Sequence, residues 1–466
     1  MPEKFENINE NLFDPVASKA ERYAKGTAIR KIIPRNAHQE WKASENRKNP
    51  VDILIETSVG RVESLLPIRY SRMMESPFSF FRGAAAIMAS DLAQTPNTGI
   101  HLQLCGDCHL MNFGGFATPE RKLVFDINDF DETFPGPWEW DIKRLATSFA
   151  IAGRWRKFSN KNCKEFAWHV ADSYKRHMLE YSKLSALQIW YADIDLAELI
   201  ERGEDEEIKE FQHKRIKKAA EYTAHEKEFA KMTYQDGYRA RIKDDPPLIY
   251  HPTEAEGKRI IREVETAHKQ YMESLPDDKQ VLLSRYKLHD VAMKVVGVGS
   301  VGTVCGISLL MSATGEPIFL QFKEARQSVL EPNLKIENKY KHQGERIVMG
   351  QKLMQSASDM LLGWTQDDRN KFFYIRQLRD AKVKPVLEIM KARNMADYAK
   401  ACGWALARAH ARTGDPSVLS GYIGNSNEFA NAIAKFSISY ADQNDADYTK
   451  MLEAIKEGKL PISTAI

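Results

Sequence analysis

The sequence predicts an α+β protein in which short strands and long helices occupy different stretches of the chain. Three observations carry this. The runs His101–Cys105, Lys122–Ile127, Val304–Met311, Pro317–Lys323 and Phe372–Leu378 are short, mostly alternating, and rich in β-branched or aromatic residues. Residues 138–152, 161–243 and 399–412 have apolar side chains at helical spacing or are dense in charged helix formers. Turn-forming clusters such as Pro96-Asn-Thr-Gly99, Pro135-Gly-Pro137 and Asp244-Asp-Pro-Pro247 divide the blocks. At 466 residues the chain exceeds one ordinary core, so more than one domain is expected.

Composition narrows the classes. Hydrophobic residues at 43% and charged residues at 28% describe a globular chain, neither disordered nor fibrous. Lysine plus arginine number 67 against 64 acids, a net +3 that gives no support for a nucleic-acid or acidic-membrane partner. The five cysteines are few, odd in number and scattered, which argues for a reducing compartment. With no leader pattern and no run of about 18 apolar residues, a cytoplasmic location without membrane contact is expected. Cys105 and Cys108 form a Cys-x-x-Cys, but without a second pair zinc or dithiol chemistry is disfavoured.

In chain order, Val51–Glu56 opens as a helix with Ile53 and Leu54 on its apolar side. Pro77–Gly83 leads into a small-residue helix, Ala84 to Leu92; Arg82 there could contact a phosphate, but a solvated or core-edge place is favoured. The strand His101–Cys105 delivers a turn at Gly106-Asp107, and Asn112 follows five positions later. A second strand, Lys122–Ile127, delivers Asp126, Asp129 and Asp131. An acid, an amide and further acids in one turn-rich segment suit phosphoryl transfer. One carboxylate orients the attacking hydroxyl, while a carboxylate and an amide oxygen hold magnesium against the phosphates. Asp126 and Asp129 both end an apolar run and compete for the metal role. Asp141, near the start of the next helix, is expected either to cap that helix or to brace the preceding loop through backbone N–H groups. Residues 161–243 read as helical and charged, and a further charged helix runs to about Ser274.

The second informative block is Gly297-Val-Gly299-Ser-Val-Gly302-Thr-Val304, set between strand-like runs. A dinucleotide fingerprint would open a helix; these glycines instead fit a hairpin lid whose backbone N–H groups approach phosphate oxygens. In the next strand Phe319, Gln321 and Lys323 share one face, so Lys323 points where the aromatic bulk does, away from water if that face is the inner one; a snorkelling edge lysine is the alternative. A helix from about Gly344 places Glu345, Met349, Leu353 and Met360 along one side, where Glu345 needs a cation and Lys323 is the candidate. In the helix Ala399–Arg412 the stripe Cys402, Leu406 and His410 reads as core.

Together, Gly106-Asp-Cys-His-Leu-Met-Asn112 and Asn128-Asp-Phe-Asp-Glu132 resemble the catalytic loop and metal-binding turn of the protein-kinase and aminoglycoside-phosphotransferase superfamily. The resemblance implies a two-lobed fold with a helix-rich C-lobe and a small antiparallel-sheet N-lobe. It also implies ATP and Mg2+ as cofactors and an unidentified acceptor. Asp107 would orient or deprotonate that acceptor, and Asn112 with Asp129 or Asp126 would bind magnesium. Gly297, Gly299, Ser300 and Gly302 would cover the phosphates, Lys323 would grip them, and Glu345 would position Lys323. The order is inverted relative to those kinases, as a circular permutation would produce. The expected division is 1–75 as a helical extension, 76–285 as the lobe carrying the catalytic and metal loops, 286–385 as the nucleotide lobe, and 386–466 as returning helices.

Longer motifs are similar to a large bacterial domain-of-unknown-function family over roughly residues 50 to 445. They are Phe80-Phe-Arg-Gly-Ala-Ala85, Cys105–Gly114, Asn128–Thr133, Gly136-Pro-Trp-Glu-Trp-Asp141, Gly299-Ser-Val-Gly302 and Ala407-Arg-Ala-His-Ala-Arg412. The leading expectation is an ATP/Mg-dependent phosphotransferase. A non-catalytic nucleotide-binding regulator, a metal-dependent phosphohydrolase and a protein nucleotidyltransferase stand as alternatives.

Overall fold

The computed structural model describes residues 16–203, 205–220, 229–237, 239–251, 264, 266–295, 297–378 and 382–463. Two expectations fall partly outside them: the charged helix before Ser274 at 252–263, and Val296 beside the glycine turn. The architecture is α+β with small antiparallel sheets.

The largest sheet has six antiparallel strands in the order Gly363–Gln366, Phe372–Gln377, Pro317–Glu324, Cys305–Ser312, Tyr286–Lys294, Ile249–Tyr250. Its register sets Lys323 opposite Cys305 on one side and Tyr374 on the other. Both faces are covered, so its central strands are almost continuously buried. Phe319, Ile307 and Leu309 pack on one face, and Ile318, Leu320 and Ile375 on the other. Gly306 lies opposite Phe322, where an added Cβ would meet the ring at 2.1 Å.

The helical part is built around Glu139–Trp155, buried on every side over its first fifteen residues. Asn160–Lys183, Ala392–Thr413 and Glu428–Lys456 pack against it or against one another, and aromatic contacts such as Trp138 stacked on Tyr174 fill the centre. Two small two-stranded antiparallel sheets emerge from this core. His101–Leu104 pairs with Phe134–Pro137, and Phe113–Ala117 pairs with Leu123–Ile127. The N-terminal helices are integral to it: Lys19–Ile29 packs on Pro416–Ile423, and Pro50–Glu56 on Glu428–Lys456.

Two local expectations need correction. Pro77–Gly83 is itself a helix, started by Ser76, whose hydroxyl accepts from the Ser79 N–H. Residues 161–243 are not helical throughout, because Thr233–Asp236 and Arg239–Ile242 form a hairpin. Gly237, with φ +60°, supplies its turn, and Ala240 and Ile242 alternate inward onto the large sheet. Among the described residues no helix is long and apolar enough to cross a membrane.

Candidate functional site

The two informative blocks, nearly 200 residues apart in sequence, meet at one cleft of about 590 Å³. Its walls include Asp107, His109 and Asn112 from the loop after the first strand, Asp129, Asp131 and Glu132 from the second loop, and Gly297, Gly299 and Ser300.

Backbone hydrogen bonds fix the first loop. Asp141 accepts from the N–H of Cys105 (2.8 Å) and Gly106 (3.1 Å), the bracing role its position suggested. Ser148 accepts from Leu110 N–H at 3.0 Å, and the Tyr398 hydroxyl donates to the Leu110 carbonyl at 2.6 Å. Gly106 has φ +86°, and a Cβ there would lie 2.2 Å from the Glu132 carbonyl, so the two loops can approach this closely only through glycine. The Asn128 N–H donates to the Asn112 carbonyl at 2.7 Å, a second link between them.

The Asp107 carboxylate projects into the cleft with Oδ1 held by Arg144 Nε (2.8 Å) and Nη2 (2.6 Å). Burial pushes its carboxyl above the usual range, although the Arg144 charge opposes this. His109 Nε2 stands 3.6 Å from Asp107 Oδ2, and burial together with Arg82 and Arg144 holds the imidazole well below its usual pKa, hence neutral. The Asn112 side-chain amide donates to the Asp107 carbonyl at 2.8 Å, which orients the opposite end of the amide.

Asp131 joins the two blocks. Lys323 Nζ ion-pairs with its Oδ2, the Ser300 hydroxyl donates to the same oxygen at 3.2 Å, and the Tyr374 hydroxyl donates to Oδ1 at 2.7 Å. Burial alone would raise the Asp131 carboxyl, but Lys323 and these hydrogen bonds outweigh it and hold it low. Asp129 accepts the Asp131 N–H at 3.2 Å, and burial plus the neighbouring Asp131 charge push its carboxyl up. Two adjacent carboxylates, one destabilised by the other, are a site that a cation would relieve.

Not every expected residue belongs to the cleft. Asp126 is fully buried, bound to Arg408 Nη2 through both oxygens (2.8 Å each), and accepts from Ser356 N–H (2.9 Å) and hydroxyl (3.0 Å). Its strand packs against the Ala392–Thr413 helix, so Asp126 is a structural anchor and Asp129 is the residue that faces the cleft. Glu345 makes no ion pair with Lys323. The buried side of the Gln343–Met354 helix is Arg346, Ile347, Gly350 and Met354, roughly a quarter turn from the stripe on which Glu345 lies. Arg346 occupies the anticipated position and donates to the carbonyls of Asp131 (3.0 Å) and Arg326 (2.8 Å). Gly302 (φ +89°) shapes the glycine turn from behind, and its carbonyl accepts the Val62 N–H at 2.7 Å.

Sequence reasoning gave no role to Asp131 or Arg144, and ranked a phosphate contact for Arg82 below a solvated or core-edge place. The Asp-x-Asp spacing of Asp129 and Asp131 was a signal for the first. Arg144, one turn after Asp141 on the same helix, could have been read as facing the same loop. The side chains of Cys105, Cys108 and Asp141 cluster within 4.8 Å, but Asp141 spends both oxygens on backbone N–H groups. Burial pushes the Cys108 thiol up to about 11 and the Cys105 thiol well above its usual range, so both stay protonated and the cluster reads as core.

Glu132 provides a pH prediction. It accepts the Val329 N–H at 2.8 Å, yet burial pushes its carboxyl up to about 7. The folded protein thus holds a proton that the unfolded chain releases near pH 4.5, and stability falls as pH rises from about 4.5 to 7, by at most about 3 kcal/mol. Glu132→Gln is expected to flatten this decline in urea titrations at pH 5 and pH 8 in EDTA. An unchanged slope would show that Glu132 ionises normally.

No curated protein and no solved structure matches the chain. A family model does, over residues 61–454, and it contains both loops, the glycine turn and Lys323. With most of its length matched, the chain belongs to the bacterial family described as "Uncharacterized protein conserved in bacteria (DUF2252)".

Proposed function

We propose that this protein is an ATP- and magnesium-dependent phosphotransferase with a circularly permuted, kinase-like two-lobed fold, acting on a hydroxyl or amine of an acceptor. One observation carries the reading. The Asp107, Asn112 and Asp129 loops and the glycine turn line one cleft, and Lys323 is tied to that cleft through Asp131.

The residues present suit the cofactors. Asn112, Asp129 and Asp131 offer the oxygen donors that a hard divalent cation takes. The glycine turn, with Gly297 at φ +73°, can bring backbone N–H groups close to phosphate oxygens without steric cost. A cleft of about 590 Å³ has the size of a nucleotide site. When bound, the magnesium–nucleotide pair would supply the transferable phosphoryl group and neutralise its charge.

The chain's own groups then have separate tasks. Asp107, held through Oδ1 by Arg144, keeps Oδ2 to accept the acceptor's proton, and its raised pKa strengthens it as a base. Lys323, now paired with Asp131, would hold phosphate oxygens of a bound nucleotide, and Asp131 would be a ligand for the cation. Arg346 fixes the backbone that carries Asp131.

Thermal unfolding with ATP alone, magnesium alone and both together tests the reading. A ligand at about 100 times its Kd stabilises the native state by about 2.7 kcal/mol. The expected result is a shift that needs both ligands and is lost in Lys323→Ala. A shift with divalent metal alone would favour the phosphohydrolase alternative, and ATP binding without turnover the regulator.

A further inference from the structure

We propose that the acceptor is a compound that already carries a phosphate group, recognised by Arg61, Arg69 and Arg82. The proposal rests on the phosphotransferase reading and names the substrate class of that site.

These three arginines come from the stretch 57–83, outside the kinase-like motif set, and all line the cleft. Arg69 is 1% exposed, donates to the Ser58 hydroxyl at 2.8 Å, and keeps its Nε buried without a hydrogen-bond partner among the described residues. The Nε of Arg82 is buried in the same condition, and the Arg82 charge acts directly on Asp107. Arg61 donates to the carbonyls of Thr57 (2.9 Å) and Val301 (2.7 Å). Burial, with the charges of Arg69 and Arg326 beside it, pulls its guanidinium down to about 9. Guanidinium groups gathered in one wall, Arg61 and Arg69 at mutual electrostatic cost and Arg69 and Arg82 each with an N–H left unmet, suit a multiply charged oxyanion. Phosphate matches the guanidinium fork and carries the charge.

The glycine turn touches both groups. Ser300 faces Asp131 and Lys323, whereas Val298 packs among the N-terminal helices and the Val301 carbonyl meets Arg61. Arg82 lies in the field of both Asp107 and Asp129. Asp107 stands within reach of the Arg82 charge. An acceptor anchored by its phosphate on the arginines would present a neighbouring hydroxyl to Asp107. The acceptor oxygen then bonds to the transferred phosphorus, the bond to the nucleotide's bridging oxygen breaks, and the hydroxyl proton goes to Asp107.

The test is thermal unfolding of the full chain with inorganic phosphate as probe, with and without saturating magnesium and a non-hydrolysable ATP analogue, on wild type, Arg82→Gln and Arg61→Gln. The expected result is a further upward shift from phosphate on top of the nucleotide shift, lost in Arg82→Gln while the nucleotide shift remains. A phosphate shift that disappears once the analogue is bound would overturn the acceptor assignment, because the arginines would then hold the nucleotide's own phosphates. A phosphate shift unchanged in both variants would also overturn it. Absence of any nucleotide shift would fell the phosphotransferase reading itself; a phosphate shift lost in Arg82→Gln would then mark a plain anion pocket, and the acceptor role would fall.

Discussion

Asp107→Asn is expected to lower kcat by about 10²–10⁴-fold while leaving the shift with ATP and magnesium in place. The substitution keeps the size of the side chain and its oxygen toward Arg144, but removes the negative charge that accepts a proton. The loss should appear in ADP release, with water or a screened acceptor as the receiving group. Because Arg144 is itself buried and also donates to the Phe81 carbonyl at 2.9 Å, the variant needs a urea titration beside the kinetics. A fall in turnover with a preserved denaturation midpoint assigns the effect to proton transfer. Unchanged turnover would remove Asp107 from the base role, and a collapsed midpoint would make it a structural partner of Arg144.

Asp126→Asn is expected to destabilise the fold by about 3–5 kcal/mol. Asp126 and Arg408 are both fully buried, and Arg408 already has Nε and Nη1 without partners. Neutralising the carboxylate leaves a guanidinium charge in the core facing neutral acceptors, the new amide oxygen and the Met354 carbonyl. Asp129→Asn should behave oppositely. It relieves repulsion from Asp131, so the metal-free protein should keep or gain stability while losing the magnesium-dependent shift. Urea midpoints of the two variants in EDTA give the comparison. Equal losses would mean that the carboxylates share one structural role, and a stable Asp126→Asn with a lost magnesium shift would return Asp126 to the metal site.

What the sequence determined by itself was local. Alternation in Pro317–Lys323 put Lys323 on the same face as Phe319 and Gln321, since side-chain direction along a strand follows from backbone geometry; that this face is buried came from the tertiary structure. Glycines at 297, 299 and 302 between two apolar runs marked a turn between strands, and Gly106-Asp107 marked a loop, because positive φ is nearly a glycine property. The bracing role of Asp141 followed from an acid at a helix start beside a turn.

What only the tertiary structure decided was partnership. Asp126 and Asp129 each end the same apolar run, and nothing within that run says that Arg408, 282 residues later, claims Asp126. Helical spacing placed Glu345 on a face without saying which face the sheet would cover; the packing buried the face of Arg346 instead. Arg82 read as solvated or core-edge sooner than as a phosphate contact, whereas the tertiary structure lays its helix over the glycine turn and sets it beside Asp107. Charges choose partners by distance in space, and a buried ion pair is settled only when all the elements that surround it have packed.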